Sequence, residues 1–245
     1  MQTVLTIVPV MSNSYFDFKR FRIEQHGCSM KVGTDGVLLG AWFRLEPGMS
    51  VLDIGTGTGL VAIMAAQRGA GSVTAVEIDE SAAAQAAANA AASEWGAVIQ
   101  VVNADVSTFR PGLKFDRIVC NPPYFRDSLR CPDAGRNTAR HNDSLSFETL
   151  MECAALMLAP AGSLSVVIPA DAVETLLKCA AVQGLGLSRR TDVVTLAGKT
   201  PKRSLMELSQ DGGLDAGHEV LCMFGADGKA TAEYAALVRD FYLKF

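Results

Sequence analysis

A chain of 245 residues with 49% hydrophobic side chains can bury a substantial core as one large α/β domain with small additions, which excludes a disordered chain. Its formal net charge of −4 excludes a protein that coats nucleic acid broadly, but not a local basic patch facing one structured RNA. The six cysteines (Cys28, Cys120, Cys131, Cys153, Cys179 and Cys222) form no C-x-x-C pair, and His26, His141 and His218 lie far apart, so free thiols in a reducing cytoplasm and no bound metal are expected.

Residues 1–18 read as an irregular lead-in, and Lys19–Ile23 as a short strand. Met1–Met11 lacks the basic region and small-residue cleavage site of a signal peptide, and no apolar run approaches the ~20 residues of a membrane span. A cytoplasmic protein without a membrane partner is therefore expected. From residue 51 the pattern becomes rhythmic. Short β-branched runs at 51–54, 73–76, 99–102, 115–119 and 164–168 predict strands. Helix-like stretches at 60–68, 80–94, 147–158 and 171–183 lie among them, the second rich in alanine, the strongest helix former. This alternation predicts a doubly wound parallel sheet covered on both faces. Past Gly184, runs at 190–196, 204–208 and 219–224 predict strands without a crossover helix, hence antiparallel pairing, and a last helix is expected over 230–243.

Val51–Ile54 runs into Gly55-Thr56-Gly57-Thr58-Gly59 and then into a helix. Glycines let this turn approach a ligand closely, and the helix start offers free N–H groups and a positive dipole end. Asp53 opens the segment, and Glu77 stands twenty residues after Gly57 at the end of the next strand, where a carboxylate can accept hydrogen bonds from ribose hydroxyls. Those features suit a dinucleotide or S-adenosylmethionine equally, since Gly57 to Ala62 also satisfies G-x-G-x-x-A.

The strand at 115–119 leads to Asn121-Pro122-Pro123-Tyr124. The Asn121 side-chain oxygen and the Pro122 carbonyl can each accept a hydrogen from a planar amino group, drawing its nitrogen toward tetrahedral geometry. Proline fixes its own carbonyl and brings no competing N–H. Tyr124 offers a face for stacking a planar target. An oxidoreductase would leave these four residues without a role.

Asp53 to Gly59 together with Asn121 to Tyr124 resembles the cofactor loop and amino-methylating signature of class I S-adenosylmethionine-dependent methyltransferases. Met30 to Trp42, with Phe21-Arg22-Ile23 before it and Phe241-Tyr242-Leu243 at the tail, resembles the bacterial tRNA (adenine-N6) methyltransferases over nearly the whole chain. The Lys31–Trp42 run is the most family-specific piece. The resemblance implies a seven-stranded-type Rossmann-like sheet with antiparallel C-terminal strands. It also implies S-adenosyl-L-methionine as cofactor and N6-methylation of the purine immediately 3′ of the anticodon (position 37) of a valine tRNA. It places Thr34 and Asp35 near the cofactor and Asp105 near its adenine, beside Asp53, Gly55, Gly57, Gly59, Glu77 and Asn121. Residues 1–48 would form a lead-in close to cofactor and substrate, forming one compact unit with a methyltransferase domain at 49–245.

Three stretches are locally basic: 19–31 (net +3), 126–140 (net +2) and 189–203 (net +4). Lys19, Arg20 and Arg22 from the first, and Arg126, Arg130, Arg136 and Arg140 from the second, are candidate RNA contacts. One rival is a glutamine N5 protein methyltransferase acting on a release factor, whose target is also a planar NH₂ group. Such enzymes usually carry a helical N-terminal domain, whereas only about 50 residues with little helical periodicity precede the glycine loop here. A non-catalytic RNA-binding module on this fold is the other rival, opposed by the intact Asp53, Glu77 and Asn121.

Overall fold

The computed structural model describes residues 13–26, 31–122, 145–213 and 216–245. At the N-terminus, β1 (Tyr15–Asp17) and β2 (Arg22–Glu24) pair antiparallel as a small separate hairpin. The lead-in is thus more ordered than expected, because Phe16 and Phe18 have partners at the far end of the chain. Phe18 stacks on Phe21 and on Tyr242, with ring centroids 4.5 and 5.9 Å apart, and the Lys19 N–H donates to the Phe241 carbonyl. The two terminal segments that carry the resemblance therefore pack on each other.

The helix α1 (Thr34–Trp42) follows, where little helical periodicity was expected. Gly36 to Gly40 and Trp42 are all buried, so the helix has no polar stripe from which amphipathic periodicity could be read. Then come β3 (Ser50–Ile54), α2 (Leu60–Gln67), β4 (Ser72–Glu77), α3 (Glu80–Ala92), β5 (Ile99–Asn103) and β6 (Phe115–Cys120). The predicted elements of this half are present, with ends shifted by a residue or two. Asp79 caps α3 by accepting from the Ala82 N–H at 2.7 Å. α2 is buried from Leu60 to Ala66.

The second half contains α4 (Phe147–Met157), capped by Ser146, then the long β7 (Leu158–Pro169), α5 (Val173–Val182), β8 (Gly186–Leu196), β9 (Arg203–Ser209), β10 (Gly217–Phe224) and α6 (Ala232–Val238). α6 is shorter than expected. After Val238 the chain tightens, with the Phe241 and Tyr242 N–H groups both donating to the Val238 carbonyl. This turn carries Tyr242 onto Phe16 and Phe18.

One eight-stranded sheet runs in the order β10-β8-β9-β7-β6-β3-β4-β5. Strands β5, β4, β3, β6 and β7 are parallel, and β9 is antiparallel to both β7 and β8. The expected antiparallel addition is correct for β8 and β9 but not for β10, which pairs parallel with β8. Both edges of β9 are already filled, so β10 must pass β8 and run beside its outer edge in the same direction. The core lies in two layers. One, on the α1/α2 side, includes Phe18, Ile23, Leu39, Ile63 and Val238; the other, under α4 and α5, includes Leu52, Ile118, Leu150, Leu164 and Leu176. Among the described residues no helix is long and apolar enough to cross a membrane, and no His, Cys, Asp or Glu group could hold a metal ion.

Candidate active site

The carboxyl ends of the parallel strands carry the glycine loop after β3, Glu77 at the end of β4, Asp105 after β5 and Asn121 after β6. Crevices at this edge are where open α/β sheets bind ligands. A cavity opens there between the loop and the start of α1, lined among others by Lys31, Gly33, Gly36, Thr56, Leu60 and Asn121.

Gly55, Gly57 and Gly59 have φ of 68°, 56° and 82°, the left-handed region that side chains with a Cβ disfavour. The loop is anchored from behind. The Gly55 and Thr56 N–H groups donate to the Val76 carbonyl at 2.8 and 3.1 Å. The Glu77 Oε2 accepts from the Gly57 N–H at 2.8 Å and its Oε1 from the Asp79 N–H at 3.1 Å. Glu77 thus braces the glycine loop from the end of β4.

Asp53 is almost fully buried. Its Oδ2 accepts from the Thr56 hydroxyl at 2.6 Å and from the Ala62 N–H at 3.1 Å, joining β3, the loop and the first turn of α2. Burial pushes its carboxyl up to about 7, reinforced by the nearby Glu77 charge and opposed by the Thr56 and Ala62 hydrogen bonds. The same burial, with Asp53 and Glu77 beside it, raises the Cys120 thiol, so that cysteine is not a nucleophile.

Asn121 lines the cavity, and its Oδ1 is buried without a hydrogen-bond partner among the described residues. A buried acceptor left unpaired costs about 1–3 kcal/mol, so this oxygen in a cavity-lining residue is available to a donor from outside the described residues. Gly36 of α1 leaves room for Leu60 on the other wall rather than for Asn121. A Cβ there would lie 3.2 Å from a Leu60 methyl and 3.8 Å from the Asn121 Nδ2.

Of the expected cofactor residues, Asp53, Gly55, Gly57 and Asn121 line the cavity. Gly59 starts α2, Thr34 is exposed at the first position of α1, and half-buried Asp35 accepts from the Arg203 Nε at 2.8 Å. Asp105 is exposed and accepts from the Ser107 N–H at 2.8 Å, the role of an ordinary turn carboxylate. Pro122 follows Asn121, whereas Pro123, Tyr124, Arg126, Arg130, Arg136 and Arg140 lie outside the described residues, as does Met30.

The N-terminal cations are engaged within the molecule. Lys19 Nζ donates to the Arg239 and Phe245 carbonyls, Arg20 pairs with Glu94 at 2.7 Å and lies over Trp95, and Arg22 pairs with Asp17 at 2.7 Å and lies over Tyr15. They hold the hairpin to the C-terminal tail and to the end of α3. Sequence reasoning missed Asn89. This 2% exposed residue of α3 donates to the Glu24 and Thr58 carbonyls, both at 2.8 Å, and accepts from the Glu24 N–H at 3.0 Å. It ties the hairpin to the glycine loop, and an asparagine in an alanine-rich helix gives no local sign of that. Gly36 had a faint signal, its four-residue spacing from Gly40, where a Cβ would meet the Met64 sulfur at 2.6 Å.

Residues 33–178 match the family described as Methyltransferase small domain. The chain is 49% identical to a tRNA1(Val) (adenine(37)-N6)-methyltransferase of Bacteroides fragilis, covering 96% of this chain and all of that one. It is 42% identical to the enzyme of the same name from Tolumonas auensis (96% and 99% covered) and 39% to that of Yersinia enterocolitica (97% and 96%). Among solved structures, a predicted O-methyltransferase of Agrobacterium tumefaciens superimposes with a TM-score of 0.66 at 22% identity, over 84% of this chain and 96% of that one, a likeness of fold alone. With a glycine loop braced by Glu77, Asn121 lining the adjoining cavity and this near-full-length identity, the chain belongs to the methyltransferase small-domain family and, within it, to the bacterial tRNA1(Val) (adenine(37)-N6)-methyltransferases.

Proposed function

We propose that this chain methylates the N6 amino group of the adenine at position 37 of a tRNA1(Val), with S-adenosylmethionine as methyl donor, in the cytoplasm. The observation that carries the chemistry is Asn121, which lines a cavity walled by the glycine loop and whose buried Oδ1 has no hydrogen-bond partner among the described residues. When bound, S-adenosylmethionine supplies an electrophilic sulfonium methyl. The residues present suit it, since the loop offers open backbone at positive φ and Glu77 offers a carboxylate for ribose hydroxyls.

An exocyclic amino nitrogen is a poor nucleophile because its lone pair is delocalised into the ring. Asn121 Oδ1 accepts one amino hydrogen and the Pro122 carbonyl the other, which pulls the nitrogen toward tetrahedral geometry and aims its lone pair at the methyl. These acceptors stabilise positive charge as it develops on nitrogen. Tyr124 stacks on the base. No nucleophilic side chain is needed, so most of the barrier reduction comes from positioning. Gly33 and Gly36, which flank Thr34 and Asp35, line the cavity, and on this reading Thr34 and Asp35 would lie beside the bound cofactor and Asp105 near its adenine.

A glutamine amide could use the same acceptors. The adenine target is favoured by the 49% identity, over 96% of this chain, to an enzyme named for that reaction. Incubating the purified protein with methyl-labelled S-adenosylmethionine, unmodified tRNA and a release factor tests the choice. Label is expected only in N6-methyladenosine after nuclease digestion. Label in the release factor instead would overturn the adenine assignment.

A further inference from the structure

The third basic stretch does not stay together in the fold. Arg190 is clamped to Asp192 at 2.8 Å, and Arg189 lies over Trp42 with its centre 4.2 Å from the ring. Arg203 is bonded to Asp35. Lys199 and Lys202 differ. Both are exposed on the turn joining β8 to β9, and neither makes an ion pair among the described residues. Asp171, the exposed carboxylate just past β7, is not paired with Lys202 either.

This turn sits at the carboxyl edge. The register places Cys120 beside Val166 of β7 and Val166 beside Met206 of β9, so Asn121 stands near the level of Leu205. Arg203 is then two residues farther out, about 7 Å above the target acceptor at ~3.3 Å per residue, and Leu196, three residues past the Val193–Arg203 pair, about 17 Å above it. Laterally, β6, β7, β9 and β8 are successive neighbours. At a strand spacing of about 4.8 Å the turn is offset laterally by roughly 10–14 Å, so Lys202 lies about 15 Å and Lys199 about 20 Å from Asn121, a reach of a few nucleotides of backbone from a splayed-out base. The turn is also fixed. The Lys199 N–H donates to the Leu196 carbonyl, the Lys202 N–H to the Val193 carbonyl, and the Lys202 carbonyl accepts from the Ala170 N–H. Two exposed lysines on this backbone-fixed turn, without an ion pair among the described residues, place positive charge at this edge of a chain of net charge −4.

We infer that Lys199 and Lys202 hold the phosphodiester backbone of the substrate tRNA and contribute affinity without taking part in the placement of the base at Asn121. This rests on the tRNA methyltransferase reading. It adds to the basic surface a pair of lysines that, unlike Lys19, Arg20 and Arg22, make no ion pair or side-chain hydrogen bond among the described residues. Backbone contacts of this kind add affinity without reading sequence.

The test measures tRNA binding over a salt series, methylation kinetics and S-adenosylmethionine affinity for the full chain, its K199A/K202A variant and its K199R/K202R variant. The alanine pair should bind tRNA about 10-fold more weakly at 0.1 M salt. It should also lose about 1.4–1.8 units from the slope of log affinity against log salt, the counterions released by two phosphates. Its S-adenosylmethionine affinity and kcat at saturating tRNA should be unchanged, and the arginine pair should keep the wild-type slope. An unchanged slope in the alanine pair overturns the inference, as does a loss of kcat at saturating tRNA or of cofactor affinity. Failure of the wild-type chain to methylate any tRNA would instead overturn the reading on which the inference rests.

Discussion

Glu77→Gln keeps the shape of the side chain and removes its charge. In the structure the carboxylate accepts one N–H on each oxygen, from Gly57 and from Asp79. Glutamine can offer an oxygen to only one of them, and its NH₂ then faces the other donor. A buried donor left without a partner costs about 1–3 kcal/mol. Removing the charge also relieves its repulsion of Asp53, so the net loss of ligand-free stability should lie near 1–2 kcal/mol. For a chain of this length that lowers the melting temperature by about 2–8 °C. The same substitution weakens hydrogen bonds to ribose hydroxyls. Charge-assisted bonds of this type contribute about 1.5–3 kcal/mol, so S-adenosylmethionine should bind roughly 10- to 100-fold more weakly. Thermal melts without ligand and calorimetric titration with the cofactor read the two effects separately. A variant that melts with the wild type and binds the cofactor within twofold would refute both roles of Glu77.

Asp53 gives a pH signature. Its folded carboxyl at about 7 lies above the ordinary 3.8, so its contribution to stability is full below pH ~4 and lost as pH rises to 7. Asp53→Asn should therefore gain on the wild type across that window, by at most about 4 kcal/mol, and a melting difference independent of pH from 4 to 8 would contradict this. Asn121→Ala should lower kcat at least about 100-fold while changing S-adenosylmethionine affinity less than threefold, because its oxygen serves the substrate. Steady-state kinetics with parallel calorimetry check this, and equal losses in both quantities would place Asn121 on the cofactor instead. Asn89→Ala should cost about 2–4 kcal/mol in urea unfolding by leaving the Thr58 and Glu24 groups unpaired, and a loss under 0.5 kcal/mol would remove its bracing role.

The parallel half of the sheet was legible because strands buried on both faces are continuously apolar and their helices carry local caps such as Asp79 and Ser146. The site was legible where function demands an unusual residue type in a fixed run, as at Gly55 to Gly59 and Asn121. Elsewhere the deciding interaction lay far away in sequence. α1 is buried nearly all round and shows no stripe. β1 owes its order to Phe18 meeting Tyr242 more than two hundred residues later. β10 runs parallel because β9 already has two neighbours, which no local pattern reports. Charge counts did not show that Lys19, Arg20 and Arg22, all exposed, also make contacts within the chain, nor that Lys199 and Lys202 make no ion pair among the described residues.

The central claim is most directly tested on native substrate. tRNA1(Val) from cells lacking this protein is treated with the wild-type chain or with Asn121→Ala, cut with a base-specific ribonuclease and read by mass spectrometry of the fragments. The account predicts one added methyl group on the fragment containing A37, located on the adenine N6, with the wild-type chain and almost none with Asn121→Ala. A methyl group on another nucleotide, or equal methylation of A37 by both proteins, would contradict it.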